Sequence, residues 1–294
     1  MAVTVLVNRG SGTVKRLELT EAGVREAFVK AGVEADVQFL DGPEIGPAAR
    51  AALKAGAEAV VAGGGDGTIR CVAGALAGTE VPMGVLPLGT LNHFARDLGI
   101  PVELEGAAAV IAGRKSRPLD LGEVNGEVFV NNSTLGFYPP VVTVRDQERK
   151  HRGRGKLLAT VLAIRKVLPR LAPLDVQVQV EGRKVYRRSM FVFVGNNEYE
   201  MSAFSYGARE RFDSGDLYLY IARCHTRLGV AWLAVLSLVR DLIQSDRFDS
   251  WCVPEFTIDS RKKTMPVYLD GEVITLEPPL HYRVRSHDLR VLLP

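Results

Sequence analysis

Gly64, Gly65, Asp66, Gly67 and Thr68 in one short run, together with Asp270 far downstream, are the residues whose types and spacing suit chemistry on a charged ligand. The run Val60-Val61-Ala62-Gly63-Gly64-Gly65-Asp66-Gly67-Thr68-Ile69 passes from apolar strand to bare backbone to helix. Three successive glycines remove every Cβ, so main-chain N–H groups can approach an anion closely and the chain can take positive φ. Asp66 is the odd residue. A carboxylate inside a phosphate nest repels its ligand unless it holds a Mg2+ ion, positions water or bonds the loop itself, which points to a metal–nucleotide site. The plain alternative is a strand-to-helix turn that needs glycine for its own geometry. No Gly-Lys-Ser/Thr follows, so the loop is not a Walker A motif, and Thr68 stands where a dinucleotide fingerprint needs its third glycine.

The elements that must hold this loop follow an α/β rhythm. Val3 to Val7 reads as a buried parallel strand ending in Asn8-Arg9-Gly10-Ser11-Gly12. Thr20 is placed to cap a helix whose apolar face is Val24, Ala27, Phe28 and Ala31 and which Gly32 closes. A strand over Ala35 to Leu40, a helix over Pro47 to Ala55, the strand into the glycine loop and a helix with Ile69, Val72, Ala73 and Leu76 on one face complete a parallel sheet covered on both sides. Ligands bind at the carboxyl ends of such strands. The Asn8 loop, the Gly63 loop and Leu86-Pro87-Leu88-Gly89-Thr90-Leu91-Asn92 all fall there and can converge on one ligand. Thr90 and Asn92 also suit a helix cap, and His93 reads as a surface or packing residue.

Beyond Arg117-Pro118 the texture becomes mostly β. Asn125-Gly126 predicts a tight hairpin between Leu119–Val124 and Glu127–Val130. Asp175 to Val180 alternates, turns at Glu181-Gly182 and returns through Arg183 to Val194, and further strands are expected over 217–221, 253–258, 267–269 and 280–284. The division predicted is an α/β nucleotide-binding domain over 1–118 and an antiparallel β-sandwich domain over 119–285. Two helices interrupt the second. Lys156 to Leu171 is preceded by the basic residues Arg145, Arg149, Lys150, His151, Arg152 and Arg154, which suit either an anionic membrane surface or a solvated loop. Leu228 to Ile243 is explained by core packing and could line an acyl-chain cleft.

The chain of 294 residues, with 47% hydrophobic and 24% charged residues, has the composition of a folded globular protein. Its net charge of +3 gives no reason to expect a nucleic-acid partner. Three dispersed cysteines, Cys71, Cys224 and Cys252, fit a reducing compartment and no zinc site. The sequence opens on a strand-like run rather than a leader, and its most apolar window is too short to span a bilayer, so a cytoplasmic protein is expected. Monomer and homo-oligomer both remain open.

The Gly-Gly-Asp-Gly-Thr run resembles the signature of diacylglycerol, sphingosine and ceramide kinases and, more distantly, NAD kinases. Pro87-Leu88-Gly89-Thr90-Leu91-Asn92-His93-Phe94-Ala95-Arg96 is similar to the Pro-x-Gly-Thr-x-Asn-x-Phe-Ala-Arg segment of the lipid kinases. Tyr268-Leu269-Asp270-Gly271-Glu272 resembles their late Asp-Gly-Glu element, whose aspartate is the proposed general base. The resemblance implies ATP and Mg2+ as cofactors, a lipid substrate, and contact with a membrane surface that is peripheral. It implies that Asn8, Gly64, Gly65, Asp66, Gly67, Thr68 and Thr90 surround ATP, that Asp270 is catalytic with Glu272 in support, and that residues 286–294 rejoin the first domain. The family's metal-supporting Asp-Asp-Gly-x-Leu loop reads Asp213-Ser214-Gly215-Asp216-Leu217, leaving Asp213 and Asp216 as the metal candidates. Asn8-Arg9 stands where the family usually has Asn-Pro, and Arg70 stands where asparagine is common. Arg70 could meet a phosphate or lie on a solvated helix face. An NAD kinase, or a nucleotide- or lipid-binding regulatory module without turnover, are the other readings.

Overall fold

The computed structural model describes residues 3–144, 162–163, 165–198, 211–224, 226, 227, 229 and 248–294. The first part runs β1 (Val3–Asn8), α1 (Gly12–Arg16), α2 (Glu21–Lys30), β2 (Ala35–Leu40), α3 (Gly42–Lys54), β3 (Ala59–Gly64), α4 (Asp66–Leu76), β4 (Met83–Pro87), α5 (His93–Asp97) and α6 (Leu104–Ala112). Strands pair in the order β2-β1-β3-β4, all parallel. Helix α2 packs with α6, and α3 packs with α4. Thr20 caps α2 as expected, its side chain accepting the Gly23 N–H at 3.2 Å. Helix α3 starts five residues before the expected Pro47, because Glu44 reaches back to the Asp41 N–H at 2.9 Å and Pro43 sits in the first turn.

The second part adds β5 (Ser116–Val124), β6 (Glu127–Phe129), β7 (Asn132–Gly136), β8 (Leu174–Val180), β9 (Arg183–Ser189), β10 (Phe191–Asn196), β11 (Leu217–Ala222), β12 (Phe248–Val253), β13 (Glu255–Ser260), β14 (Met265–Leu269), β15 (Glu272–Leu276) and β16 (Leu280–Leu292). Two sheets result. One continues the parallel sheet through β16-β13-β8-β9, with β5 and β6 attached; the other runs β12-β11-β10-β7-β14-β15. They face each other over Val124, Phe129, Leu135, Val178, Val192, Leu219, Ile258 and Val267, a sandwich core. Asn125 and Gly126 both have positive φ (49° and 86°), as the hairpin signal requires.

Two single strands expected from the sequence are each two strands in different sheets. The run from Arg183 to Val194 breaks at Met190, where Ser189 Oγ accepts the Phe191 N–H at 3.1 Å and also hydrogen-bonds the Ala222 carbonyl at 2.7 Å. The strand expected over 253–258 breaks at Pro254, which has no N–H for a ladder, so Val253 ends β12 in one sheet and Glu255 opens β13 in the other. The basic segment 145–156 and the helix expected over 228–243 lie outside the described residues, apart from Arg227 and Gly229 at the edge of the latter.

Strand β16 belongs to both halves. Its first stretch pairs with β13 and with Leu121–Val124 of β5, and its last residues pair with Ser116–Leu119 and run parallel to β4 at Val291–Met83. Between them the register slips, His287 takes φ 56°, and its N–H donates to Asp120 Oδ1 at 2.8 Å. The other Asp120 oxygen accepts the Gly215 N–H at 2.8 Å. Leu289, Val291 and Leu292 are part of the core between sheet and helices that also holds Leu6, Phe28 and Ile111.

Leu292, 1% exposed, therefore belongs to the packing of the parallel sheet despite its position in the chain. Leu292→Ala is expected to destabilise the protein by about 2–5 kcal/mol, the range for a buried leucine truncation, in chemical denaturation. A loss under about 0.5 kcal/mol would mean that the end of β16 packs loosely.

Candidate active site

The glycine loop is shaped by close approach rather than by unusual φ. None of Gly63, Gly64, Gly65 or Gly67 has positive φ, and Gly65, which caps α4, is extended at φ −90°. A Cβ on Gly64 would overlap Thr68, and one on Gly89 would lie 2.5 Å from the Gly65 Cα and 2.6 Å from Asn92 Oδ1. The expectation that positive φ shapes this loop is thus corrected: glycine is required because two turns and a helix start are stacked on one another. Asn8 Nδ2 donates to Thr68 Oγ1 at 3.0 Å, tying the β1 loop to the first turn of α4. Asn92, itself at φ 52°, accepts the Gly89 N–H at 2.8 Å and donates to the Pro87 carbonyl at 3.0 Å. It holds the Pro87–Gly89 turn and caps no helix with its side chain.

Asp66 performs the cap instead. Its carboxylate accepts the Phe94 N–H at 3.1 Å and the His93 N–H at 3.4 Å, joining the start of α4 to the start of α5. Oδ1 also accepts from Asn131 Nδ2 at 3.3 Å. Asn131 is the link to the second carboxylate. Its backbone N–H donates to Asp270 Oδ1 at 2.9 Å, that of Asn132 to the same oxygen at 3.0 Å, and that of Val130 to Oδ2 at 2.6 Å.

Asp270 is 2% exposed and sits with Gly271 in the β14–β15 hairpin at φ 44° and 112°. Burial pushes its pKa up from 3.8 to about 6, against the lowering effect of the three N–H donors and with a further upward push from the Asp66 charge. A carboxylate of that basicity, fixed by backbone donors, suits proton acceptance near neutral pH.

The two carboxylates share one cavity of about 440 Å³, with Gly65, Gly67 and Thr90 on the loop side and Tyr138, Phe191, Phe193 and Tyr268 opposite. Tyr138 and Tyr268 meet edge to face at 4.8 Å between ring centres, and burial raises the Tyr268 hydroxyl well above its ordinary value. From Phe191 the aromatic surface continues through Phe193 to Tyr220 and Tyr218.

Of the residues expected at the site, Gly65, Asp66, Gly67, Thr90 and Asp270 line this cavity; Gly64, Thr68 and Asn8 stand directly behind the loop. Glu272 does not line it. Its Oε2 takes the Arg70 guanidinium at 2.6 Å, so Arg70 meets a carboxylate, neither a solvated face nor a loop position open to phosphate. Asp213 and Asp216 are not gathered with Asp66 and Asp270. Asp213 pairs with Arg211 at 3.7 Å, and the loop they share is held by Asp120 and by Asn197, which accepts from the Ser214 N–H and hydroxyl. Among the described residues no three metal-ligating side chains converge. Asn131, Asn132, Tyr138 and Tyr268 were not expected at the site, although the polar run Asn131-Asn132-Ser133-Thr134 between apolar Val130 and Leu135 stands out in the sequence.

Residues 2–124 match the family model for the diacylglycerol kinase catalytic domain. The match covers less than half of the chain. Relatives include a protein named "Probable lipid kinase YegS-like" from Pseudomonas aeruginosa (strain PAO1), 50% identical over 101 residues, which are 34% of this chain and 33% of that one. Another is a "Diacylglycerol kinase" of Bacillus subtilis (strain 168), 35% identical over 179 residues, 59% of this chain and 57% of the relative. The matched stretches thus span between a third and somewhat over half of these relatives' own lengths. A crystal structure of a diacylglycerol kinase from Bacillus anthracis str. Sterne superposes with a TM-score of 0.72 at 21% identity, covering 100% of this chain and 97% of the other, a likeness of fold.

Because the Asp270 pKa stands above its ordinary 3.8, folded protein keeps a proton that the unfolded chain releases. The stability this group contributes is present below about 3.8 and is lost as pH rises through about 6. Denaturant unfolding at about pH 4.5 and about pH 7.5 is expected to give a wild-type minus Asp270→Asn stability difference that is smaller at the higher pH. An equal difference at both would put the carboxylate in an ordinary, solvated setting.

Proposed function

We propose that this protein is an ATP-dependent lipid kinase that moves the γ-phosphate of ATP to a hydroxyl of a diacylglycerol-like or a sphingoid- or ceramide-like lipid. One observation carries the reading: a buried, basic carboxylate, Asp270, faces the glycine loop across a cavity whose other wall is aromatic. The loop side suits phosphates, since helix-start N–H groups without Cβ cover are anion donors. The aromatic side suits the apolar body of an acceptor. The match of residues 2–124 to the family model for the diacylglycerol kinase catalytic domain supports the same assignment.

In this reading Asn8, Gly64, Gly65, Asp66, Gly67, Thr68 and Thr90 surround the nucleotide, directly or by holding the loop. Asp270 takes the proton of the acceptor hydroxyl as that oxygen bonds to the γ-phosphorus and the bond to the ADP oxygen breaks. Asn131 keeps the two carboxylates apart and oriented by donating to each. Tyr138, Phe191, Phe193 and Tyr268 hold the acceptor and exclude water from the transfer.

Mg2+ binds proteins through one or two carboxylates together with substrate phosphates and water, and Asp66 fits that role. Asp66 lines the cavity, and its Oδ2 takes one N–H, at 3.4 Å, which leaves that oxygen spare acceptor capacity. When bound with ATP, the ion would neutralise phosphate charge. An embedded acceptor requires contact with a membrane surface, and among the described residues no helix is long and apolar enough to cross one. In this reading that contact is peripheral.

Transfer of labelled γ-phosphate to diacylglycerol, monoacylglycerol, sphingosine, ceramide and phosphatidylglycerol in mixed micelles, with NAD as soluble control, tests the reading. Label is expected in one lipid class, with kcat falling as pH drops below about 6 because Asp270 protonates. Asp270→Asn is expected to lower kcat by about 10²–10⁴-fold while ATP binding persists. Label in NAD alone, or a variant with undiminished turnover, would sink the assignment.

A further inference from the structure

Arg70 stands one turn beyond Asp66 on α4 and is 8% exposed. Its Nη2 donates to Glu272 Oε2 at 2.6 Å and its Nη1 to Glu127 Oε2 at 3.5 Å. These carboxylates sit on the two segments that hold Asp270. Glu127 opens β6, which runs directly into the Val130, Asn131 and Asn132 amides that donate to Asp270. Glu272 opens β15, separated from Asp270 only by Gly271. The pairs are 57 and 202 residues apart in sequence, so no local chain geometry brings them together.

The surroundings are built to fit. Glu272 packs beside the first turn of α4, its Cγ at ordinary van der Waals distance (3.4 Å) from where a Cβ on Gly67 would lie. The planar guanidinium presents donors in a fixed fork that can reach two carboxylates at once, which a lysine ammonium on its flexible stem does poorly. Arg70 Nε is buried without a hydrogen-bond partner among the described residues. Helix α4 therefore crosses to the β domain at two levels: Asp66 to Asn131 in its first turn, Arg70 to Glu127 and Glu272 in its second.

We propose that Arg70 is a positioning residue for Asp270: one guanidinium on the Asp66 helix ties down both segments that hold the Asp270 carboxylate. The catalytic part rests on the lipid-kinase reading; the geometric part does not.

The test uses the whole protein with Arg70→Met, Arg70→Lys, Glu272→Gln and the double variant R70M/E272Q, read by backbone amide resonances of Val130, Asn131 and Asn132, by ATP-binding calorimetry and by lipid phosphorylation. In R70M all three amides are expected to shift and kcat to fall by about 10²-fold, the scale of a small misplacement of a reacting group, with ATP affinity and lipid KM within about twofold. R70K retains one of the two pairings and recovers part of kcat. The double variant is expected to be no slower than R70M alone, since both remove one interaction. Unmoved amides in folded R70M, or a kcat within about threefold of wild type, would overturn the proposal. If R70M does not fold, the same measurements on R70K and E272Q decide, and unmoved amides in both would overturn the proposal equally. A wild type that phosphorylates no lipid would sink the kinase reading, and the amide shifts alone would then decide the role of Arg70.

Discussion

The Asp270 carboxylate is buried at the meeting of two sheets, and three consecutive N–H groups of the β6–β7 connection are what make that tolerable. A carboxylate removed from water without partners would neutralise or refuse burial. Much of the surrounding architecture answers that requirement. The β14–β15 hairpin must place Asp270 in the left-handed region, the chain from Val130 to Asn132 must run past it with its N–H groups aligned, and α4 must come close enough for Asp66 to meet Asn131. The donors do not cancel the desolvation, and the residual imbalance is the chemical asset: a carboxylate that stays basic near neutral pH.

Asp66 is the counterpart, and its surroundings differ in kind. It accepts from two amides at the start of α5 and from an asparagine side chain, and it opens toward the cavity. Two carboxylates joined through one asparagine but held in unlike environments can take unlike tasks. The aromatic wall sets the third side, so charge and apolar surface are segregated across a single cavity.

The α/β half was legible because parallel strands are continuous apolar runs and their helices carry caps and glycine stops that act locally: Val3–Asn8, Thr20 and Gly32 speak for themselves. The β half was legible as strands but not as sheets. Nothing local tells Ser189 or Pro254 that the chain there leaves one sheet for the other, because which face is buried is decided by a partner far away in sequence. At the site, Asp66, Thr90 and Asp270 could be named because glycine turns and short motifs mark them. Asn131, Tyr138 and Tyr268 could not, since each acquires its place through tertiary contact. Glu272 and Arg70 were visible as charges, but their pairing spans 202 residues, and no periodicity reports it.

Strand β16 gives the molecule a particular temporal character. Among the described residues, the parallel sheet of the first half obtains its second neighbour to β4 from β16 near residue 291, past the irregularity at His287. The early-synthesised half thus waits on late-synthesised chain to close its edge, a long-range dependence that slows assembly and leaves the edge of β4 adhesive in the meantime. It also couples the two halves in the finished protein. A covalent, hydrogen-bonded strand runs from the sandwich into the parallel sheet.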